Sequence, residues 1–267
     1  VDLVFEVTLG SSARGARVAL LRELSGLDEL VSERAGPVAA TELLERLIVE
    51  ARGPVLRKND LWSLPLGERD RLVAGLHARH FGDRIESVVW CNGCTKAFAV
   101  DFSLAALIAS LSEETEGERA TGPDEAGVYS LSDGRRFRLP SCDDERAITG
   151  VAPSQAAAEL LGRCLIKGNG DDEAWVHAAM SKVGPVLDLE LPTRCVLCGT
   201  EQSVHFDIVS FFHAMLARER SLLLREVHRI ATAYHWGYQE ILRLPRSQRR
   251  AFVTLLEAER GRVRAVS

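Results

Sequence analysis

The sequence predicts a mixed α+β fold that is mainly helical. It holds two duplicated Cys-x-x-Cys β-hairpins, a third β-hairpin and a C-terminal helical hairpin. Three observations carry this reading. Cys91-Asn-Gly-Cys94 and Cys195-Val-Leu-Cys198 each stand between short apolar segments of strand character. Asp133-Gly134 separates two further alternating segments, the strongest short-range hairpin signal. Most of the remaining chain carries apolar residues at helical spacing. With 267 residues the chain is one large domain or two small ones and needs no disulfides to build a core. A hydrophobic content of 46 % and a charged content of 27 % are those of an ordinary globular protein, not of a disordered, collagen-like or disulfide-dense chain. Aromatics at 6 % are too sparse for a carbohydrate-binding surface or a single-strand stacking platform.

In order along the chain, Val18–Leu30 has helical spacing through Val18, Leu20, Leu21, Leu24 and Leu27, and Gly36-Pro37 breaks it. Thr41 is a good N-cap for a helix over Glu42–Arg52, with Leu43, Leu44, Leu47 and Ile48 on one face. Arg52-Gly53-Pro54 ends it. A third helix is expected over Pro65–His80, with Leu66, Leu72, Val73 and Leu76 inward and Gly82 beyond its end. Ile85–Trp90 and Lys96–Phe102 read as strands, and Ser103 caps a helix to about Leu111. Residues 112–126 hold six acids and one Arg with Gly and Pro, the composition of a solvated linker or loop. Val128–Leu131 and Arg136–Leu139 form the Asp-Gly hairpin. Helices follow over Ser154–Ile166 and Asp172–Val183, then strands over Val186–Leu191 and Gln202–Phe206. Asp207 caps a long helix to Ala233. A break at Tyr234–Gly237 precedes Tyr238–Arg243, and Ser247 caps a last helix to Arg260. These elements group as 1–111, a 112–126 linker or loop, 127–215 and a basic 216–267, units that can also pack as one domain.

The two cysteine segments are copies. Cys91 and Cys195, Cys94 and Cys198, Val100 and Val204, Phe102 and Phe206, and the caps Ser103 and Asp207 all stand 104 residues apart. Each copy reads strand, Cys-x-x-Cys, strand, Phe, cap, apolar helix, an internal duplication of one supersecondary unit. A Cys-x-x-Cys at a hairpin tip is a metal knuckle of the zinc-ribbon type. The tight turn aims two thiolates at one ion, and Gly93 within the first knuckle and Gly199 after the second relieve the turn. Two knuckles complete a closed four-cysteine site with no position left for water, so such zinc is structural. The expectation is one zinc ion per chain on Cys91, Cys94, Cys195 and Cys198, joining two halves of the chain about a local pseudo-twofold axis. Three other readings stay open. A redox pair calls for a helix N-terminus, which the flanking strands do not provide. A disulfide within each knuckle would be strained. Unpaired buried thiols are the last. Cys142 and Cys164 read as small core hydrophobes.

Signals for enzymatic chemistry are weak. Asp143-Asp144-Glu145 and Asp171-Asp172-Glu173 could hold a catalytic metal, yet both sit where helices begin, where acids favour the dipole and cap free N–H groups. The seven His fall at no catalytic spacing, and no phosphate loop, dinucleotide fingerprint or nucleophile elbow is present. His228 and His235 read as capping or surface residues. No apolar run approaches a membrane span, and Val1–Leu9, with Asp2 and Glu6 inside it, lacks the pattern of a signal peptide. Net charge is -5, with residues 216–267 carrying eleven Arg against five Glu. The C-terminal segment has a helix-turn-helix outline in which Arg243, Arg246, Arg249 and Arg250 could meet phosphate. A helical hairpin that docks a partner protein fits the acidic chain better. Trp236, Tyr238, Ile241 and Leu242 would anchor that docking, with Arg246, Arg249 and Arg250 beside them.

The stretch Leu224–Arg250 (LREVHRIATAYHWGYQEILRLPRSQRR) resembles the C-terminus of baseplate proteins of T-even-like phages. It is also similar to proteins encoded with phage-tail-like contractile injection systems. Upstream, the helix before Cys-x-x-Cys, the Phe-Asp-type strand end, the Arg136–Pro140 hairpin (Arg-Phe-Arg-Leu-Pro) and the second Cys-x-x-Cys extend the likeness over roughly residues 60–260. The first 50 residues carry none of it. The resemblance implies a non-enzymatic structural or assembly component of a baseplate whose partners are other baseplate, hub or spike proteins. It places the chain in the bacterial cytoplasm during assembly or in the mature particle, with no small-molecule substrate. A zinc-ribbon/helix-turn-helix nucleic-acid binder and a thiol-disulfide oxidoreductase are the readings from other classes.

Overall fold

The computed structural model describes residues 3–12, 15–31, 35–52, 58–113, 120–168 and 173–266. The chain divides into two compact units, residues 1–59 with 210–267 and residues 60–209. The acidic stretch 112–126 falls within the second unit, and its residues 114–119 lie outside the described residues. Gly53-Pro54, Asp171 and Asp172 lie outside them too.

The first unit begins with β1 (Val4–Ser12) and β2 (Gly15–Arg22), then α1 (Gly26–Val31), α2 (Pro37–Leu47) and β3 (Ile48–Arg52). The strands form an antiparallel sheet in the order β1-β2-β3. This corrects the helix expected from Val18. Ala19 and Leu21 are wholly buried while Val18 and Leu20 are half-buried. The run Val-Ala-Leu-Leu thus satisfies a period of two as well as a helical one, and pairing on both edges decides for the strand. The second helix also starts earlier than expected. Gly36, at φ 117°, precedes Pro37 at the first helical position, where a missing N–H is harmless and φ is already set. Thr41 sits inside α2, its hydroxyl donating to the Pro37 carbonyl at 3.1 Å. Ile48–Arg52 leaves the helix for the sheet, while Leu43, Leu44 and Leu47 are buried as the spacing required.

A 3-10 turn over Lys58–Ser63 spans the start of the second unit, and α3 (Leu66–Phe81) follows, ending at Gly82 with φ 92°. Next come β4 (Arg84–Trp90), β5 (Ala97–Ser103) and α4 (Leu104–Glu113), with the Ala106 N–H donating to Ser103 Oγ at 3.0 Å as the expected cap. The Asp-Gly hairpin is present, with Gly134 at φ 87°, as part of a larger sheet. Strands β6 (Ala120–Thr121), β7 (Val128–Leu131) and β8 (Arg136–Arg138) are joined by β9 (Leu165–Lys167) after the helices α5 (Cys142–Ala147) and α6 (Pro153–Cys164). α7 (Glu173–Val183) closes a core of Phe137, Leu131, Leu161, Cys164, Val176 and Met180. Asp143-Asp144-Glu145 form the first turn of α5, as expected of acids at a helix start. β10 (Asp188–Arg194) and β11 (Glu201–Asp207) end the unit.

Three helices complete the first unit: α8 (Ile208–Tyr234), α9 (Tyr238–Arg243) and α10 (Arg246–Val266). The Val209 N–H donates to Asp207 Oδ1 at 3.0 Å, the expected cap of α8. Leu223, Val227 and Ile230 of α8 and Ile241 and Leu242 of α9 form one buried cluster, with Trp236, Tyr234 and Phe252 against it. Ser247 does not cap α10. Its hydroxyl donates to Glu23 Oε2 at 2.5 Å.

Each unit contains the same clamp. Arg22, Ser25, Asp28 and Glu29 stand 116 residues before Arg138, Ser141, Asp144 and Glu145. In both copies the Arg ends a strand and grips the Asp with two nitrogens, at 2.7 and 3.1 Å in the first and on both Asp144 oxygens in the second. The same Asp accepts from the N–H and hydroxyl of the Ser, which caps the short helix. Each clamp docks on a helix preceded by Leu-Pro. Ser25 bridges to Pro245, and the Arg246 N–H donates to the Leu24 carbonyl. Ser141 bridges to Pro65, and the Leu66 N–H donates to the Pro140 carbonyl. Four residues past each Pro an interior Arg meets the clamp Glu, Arg249 on Glu29 at 2.6 Å and Arg69 on Glu145. Burial raises the pKa of Asp144, but the Arg138 guanidinium and the Ser141 donors outweigh it and bring it down to about 2.

Arg249 is 1 % exposed and also meets Glu226 Oε2 at 2.6 Å. Removing one member of a buried charge group leaves the others uncompensated, at a cost of about 3–5 kcal/mol. Arg249→Ala is therefore expected to destabilise the first unit by about that amount in urea unfolding. Arg250→Ala, whose side chain is 43 % exposed, is expected to change it by less than about 1 kcal/mol. Equal effects would show that burial does not set the scale.

Candidate metal centre

The two Cys-x-x-Cys segments are the tips of two antiparallel hairpins in the second unit. β4 pairs with β5 from Arg84↔Ser103 to Trp90↔Ala97, and β10 with β11 from Asp188↔Asp207 to Arg194↔Glu201. Every pair in one register stands 104 residues from its counterpart in the other. The turns repeat as well. The Cys91 N–H donates to the Lys96 carbonyl, and Cys195 to Thr200; the Thr95 N–H donates to the Cys91 carbonyl, and Gly199 to Cys195. The residue after each second cysteine is left-handed, Thr95 at φ 55° and Gly199 at φ 77°.

Several contacts bring the tips together. A Cβ on Gly93 would lie 2.3 Å from Thr200 Oγ1. Gly93 is therefore required by the close approach of the other knuckle, and the left-handed strain of the first turn falls on Thr95 instead. Gln202 spans the tips, accepting from the Asn92 N–H at 2.9 Å and donating to the Trp90 carbonyl at 3.0 Å. Below the cysteines Phe102 and Phe206, the duplicated pair, meet edge-to-face at 5.1 Å, and Phe98 packs with Cys91 and Cys195. Asp70 of α3, buried, accepts from the Leu187 N–H at 2.8 Å. Gly67 lets α3 approach the Pro185 carbonyl, where a Cβ would come within 2.3 Å. Both contacts hold the segment that leads into β10.

All four sulfurs lie within 4.8 Å of one another, and they form the one group of metal-ligating side chains found among the described residues. Cys91 Sγ is 3.5 Å from Cys198 Sγ, and Cys94 Sγ 3.9 Å from Cys195 Sγ. Four thiolates at about 2.3 Å from a tetrahedral ion stand about 3.8 Å apart, so the donor set and its spacing fit zinc. Cys91 and Cys195 are buried, Cys94 is half-buried and Cys198 is exposed. The N–H groups of Cys94 and Gly93 point at Cys91 Sγ and lower its pKa. The Thr200 hydroxyl, 3.2 Å away, and N–H bring Cys198 down to about 6. The Lys96 N–H favours a Cys94 thiolate, but burial and the three adjacent thiols push it up to about 11. Four thiols this close cannot all ionise unaided, and a divalent cation is what allows it.

The other candidate residues fall elsewhere. Cys142 and Cys164 are buried at 1 % and 0 % exposure, as small core residues. The proposed docking anchors Ile241 and Leu242 are at 0 % exposure within the core of the first unit, and Trp236 packs on the same cluster; Tyr238 alone of the four is largely exposed. Arg246 and Arg249 are buried on Glu29, Glu219 and Glu226, and Arg250 pairs with Glu219. The expectation of an outward docking face on this segment is therefore corrected. Its spacing is that of an amphipathic helix, and the side it turns inward meets α1 and α8. All four cysteines belong to the second unit, so the site joins two segments of that unit and not two halves of the chain. Sequence reasoning missed the clamps, although Arg-x-x-Ser-x-x-Asp-Glu and Leu-Pro-x-x-x-Arg each occur twice. No helix among the described residues is long and apolar enough to cross a membrane. No family model, curated protein or solved structure matches the chain.

Two substitutions test the knuckle geometry. Thr95→Gly relieves a left-handed β-branched residue and is expected to raise the melting free energy by about 1 kcal/mol. Gly93→Ala drives a methyl into Thr200 and is expected to speed loss of zinc to a chelator. Unchanged release would show that the knuckles do not depend on that approach.

Proposed function

We propose that this chain is a non-enzymatic structural or assembly component of the baseplate of a contractile phage tail or phage-tail-like injection system, held together by one structural zinc ion. The observation that carries the zinc is the convergence of Cys91, Cys94, Cys195 and Cys198. A site closed by four thiolates offers no open position for substrate or water, which supports a structural and not a catalytic metal. Both pairs lie in β-turns and not at helix N-termini, which speaks against thiol-disulfide exchange. The baseplate reading rests on the resemblance of Leu224–Arg250 and of the hairpins upstream. Its partners are then neighbouring baseplate, hub or spike proteins.

The nucleic-acid reading is weaker. Arg246 and Arg249 would have to leave buried carboxylates to reach phosphate.

Two measurements test these readings. Cys91→Ser is expected to remove the zinc and destabilise the second unit by several kcal/mol, the scale of structural zinc; an unchanged melting curve contradicts a structural role. Expressed with the tube, sheath and spike proteins of a contractile particle, the full chain is expected to co-purify with them. Its absence from both assembly intermediates and particles, or salt-sensitive binding to duplex DNA, contradicts the baseplate reading.

A further inference from the structure

The two metal-bearing hairpins are copies in register, yet their outward faces differ. On the β10–β11 hairpin the two charged rows nearer the tip pair within themselves, while the row furthest from it sets Asp188 opposite Asp207 with His205 3.4 Å from Asp188. Arg194 pairs with Glu201 at 2.5 Å, Pro192 stands opposite Ser203, and Glu190 stands opposite His205 with 3.4 Å between them. The same rows of the β4–β5 hairpin are Trp90↔Ala97, Val88↔Ala99 and Glu86↔Asp101. An ion pair is replaced by Trp and Ala, and a carboxylate–imidazole row by two carboxylates. Trp90 is 70 % exposed and Val88 69 %, with Ala97 and Ala99 exposed beside them. Arg84 is engaged with Asp101, which leaves two carboxylates to one guanidinium. Like charges directly opposite on a sheet are unfavourable, as is a solvent-facing Trp beside a Val.

The face has shape as well as polarity. Its large residues, Val88 and Trp90, lie on β4, and its small ones, Ala97 and Ala99, on β5. A ridge therefore runs beside a trough along the strands. A second copy turned face-to-face, with its ridge in this trough, would need a twofold axis along the strands. That axis would stack Glu86 and Asp101 of one copy on those of the other. Repulsion there disfavours self-pairing and calls for a cation from a different protein. Successive outward residues of a strand are about 6.7 Å apart, close to the spacing of side chains one helical turn apart.

We propose that the outward face of the β4–β5 hairpin docks an amphipathic helix of a partner protein. Two apolar side chains four residues apart lie in the Ala97–Ala99 trough against Trp90 and Val88, and an Arg or Lys one turn further meets Glu86 and Asp101. This rests on the reading of the chain as an assembly component and gives that role a surface. The segment Leu224–Arg250, whose apolar anchors are turned inward, does not supply one.

The test uses the full-length zinc-loaded protein and a displayed library of helical peptides. Selection is made against the wild type and counter-selection against Trp90→Arg/Ala97→Glu, which installs the ion pair of the other hairpin in the same register. That variant is expected to keep its zinc and its melting temperature, because the copy folds with that pair. Enriched peptides are expected to carry apolar residues at i and i+4 with a basic residue one turn away, and to bind the double variant about tenfold or more weakly, as loss of a Trp anchor does. Glu86→Lys is expected to shift the selection to acidic peptides. Peptides that bind the double variant equally, an acidic consensus on the wild type, no enrichment, or a dimer abolished by the double variant each overturn the proposal. Failure here leaves co-purification with particle proteins free to succeed, so the two readings fail separately.

Discussion

Four sulfur atoms within 4.8 Å of one another set the constraint on which the second unit depends. Two hairpins of two strands each are too small to be stable alone, and neither extends a larger sheet. The inward residues of each are few, and the two meet through the edge-to-face contact of Phe102 on Phe206. A tetrahedral ion held by these sulfurs would supply what the small core lacks, fixing segments 104 residues apart at one point. The tips are shaped for that approach, with Gly93 admitting Thr200, Gln202 spanning the turns, and N–H groups aimed at Cys91 Sγ. The thiol pKa values differ accordingly: the Thr200 hydroxyl and N–H bring Cys198 down to about 6, while at Cys94 burial and the adjacent thiols outweigh the Lys96 N–H and push it up to about 11.

Away from the four cysteines, both units are held by the Arg–Ser–Asp–Glu clamp and the interior Arg that meets it. The clamp uses polar groups to fix a backbone junction where a strand, a short helix and a Leu-Pro helix start converge. The buried carboxylates Asp28 and Asp144 each take donors from an Arg, a Ser hydroxyl and a Ser N–H. With donors at nearly every lone pair, the charge remains ionised inside the protein.

Much of this was legible in the sequence wherever local chemistry and tertiary context agree. The knuckles, the Asp-Gly hairpin, the caps Ser103 and Asp207 and the helix Leu66–Phe81 each have a local cause. What was not legible depended on partners distant in sequence. Val18–Leu21 fits a helix or a strand until β1 and β3 flank it. Pro37 reads as a stop, yet it opens a helix because its φ suits the first turn. Arg246 and Arg249 look like a basic surface until Glu29, more than 200 residues earlier, is seen beside them. Trp90, by contrast, reads as one more apolar residue of a strand, and only the folded hairpin shows it on the outward face.

The central claim is that one metal ion, ligated by four thiolates and nothing else, unites the duplicated hairpins. Zinc-edge X-ray absorption on the purified full-length protein, with zinc counted per chain, tests it most directly. The account predicts one zinc per chain with four sulfur neighbours at about 2.3 Å. Two zinc ions per chain, a shell containing nitrogen or oxygen, or metal-free protein with its sulfurs joined as disulfides would contradict it.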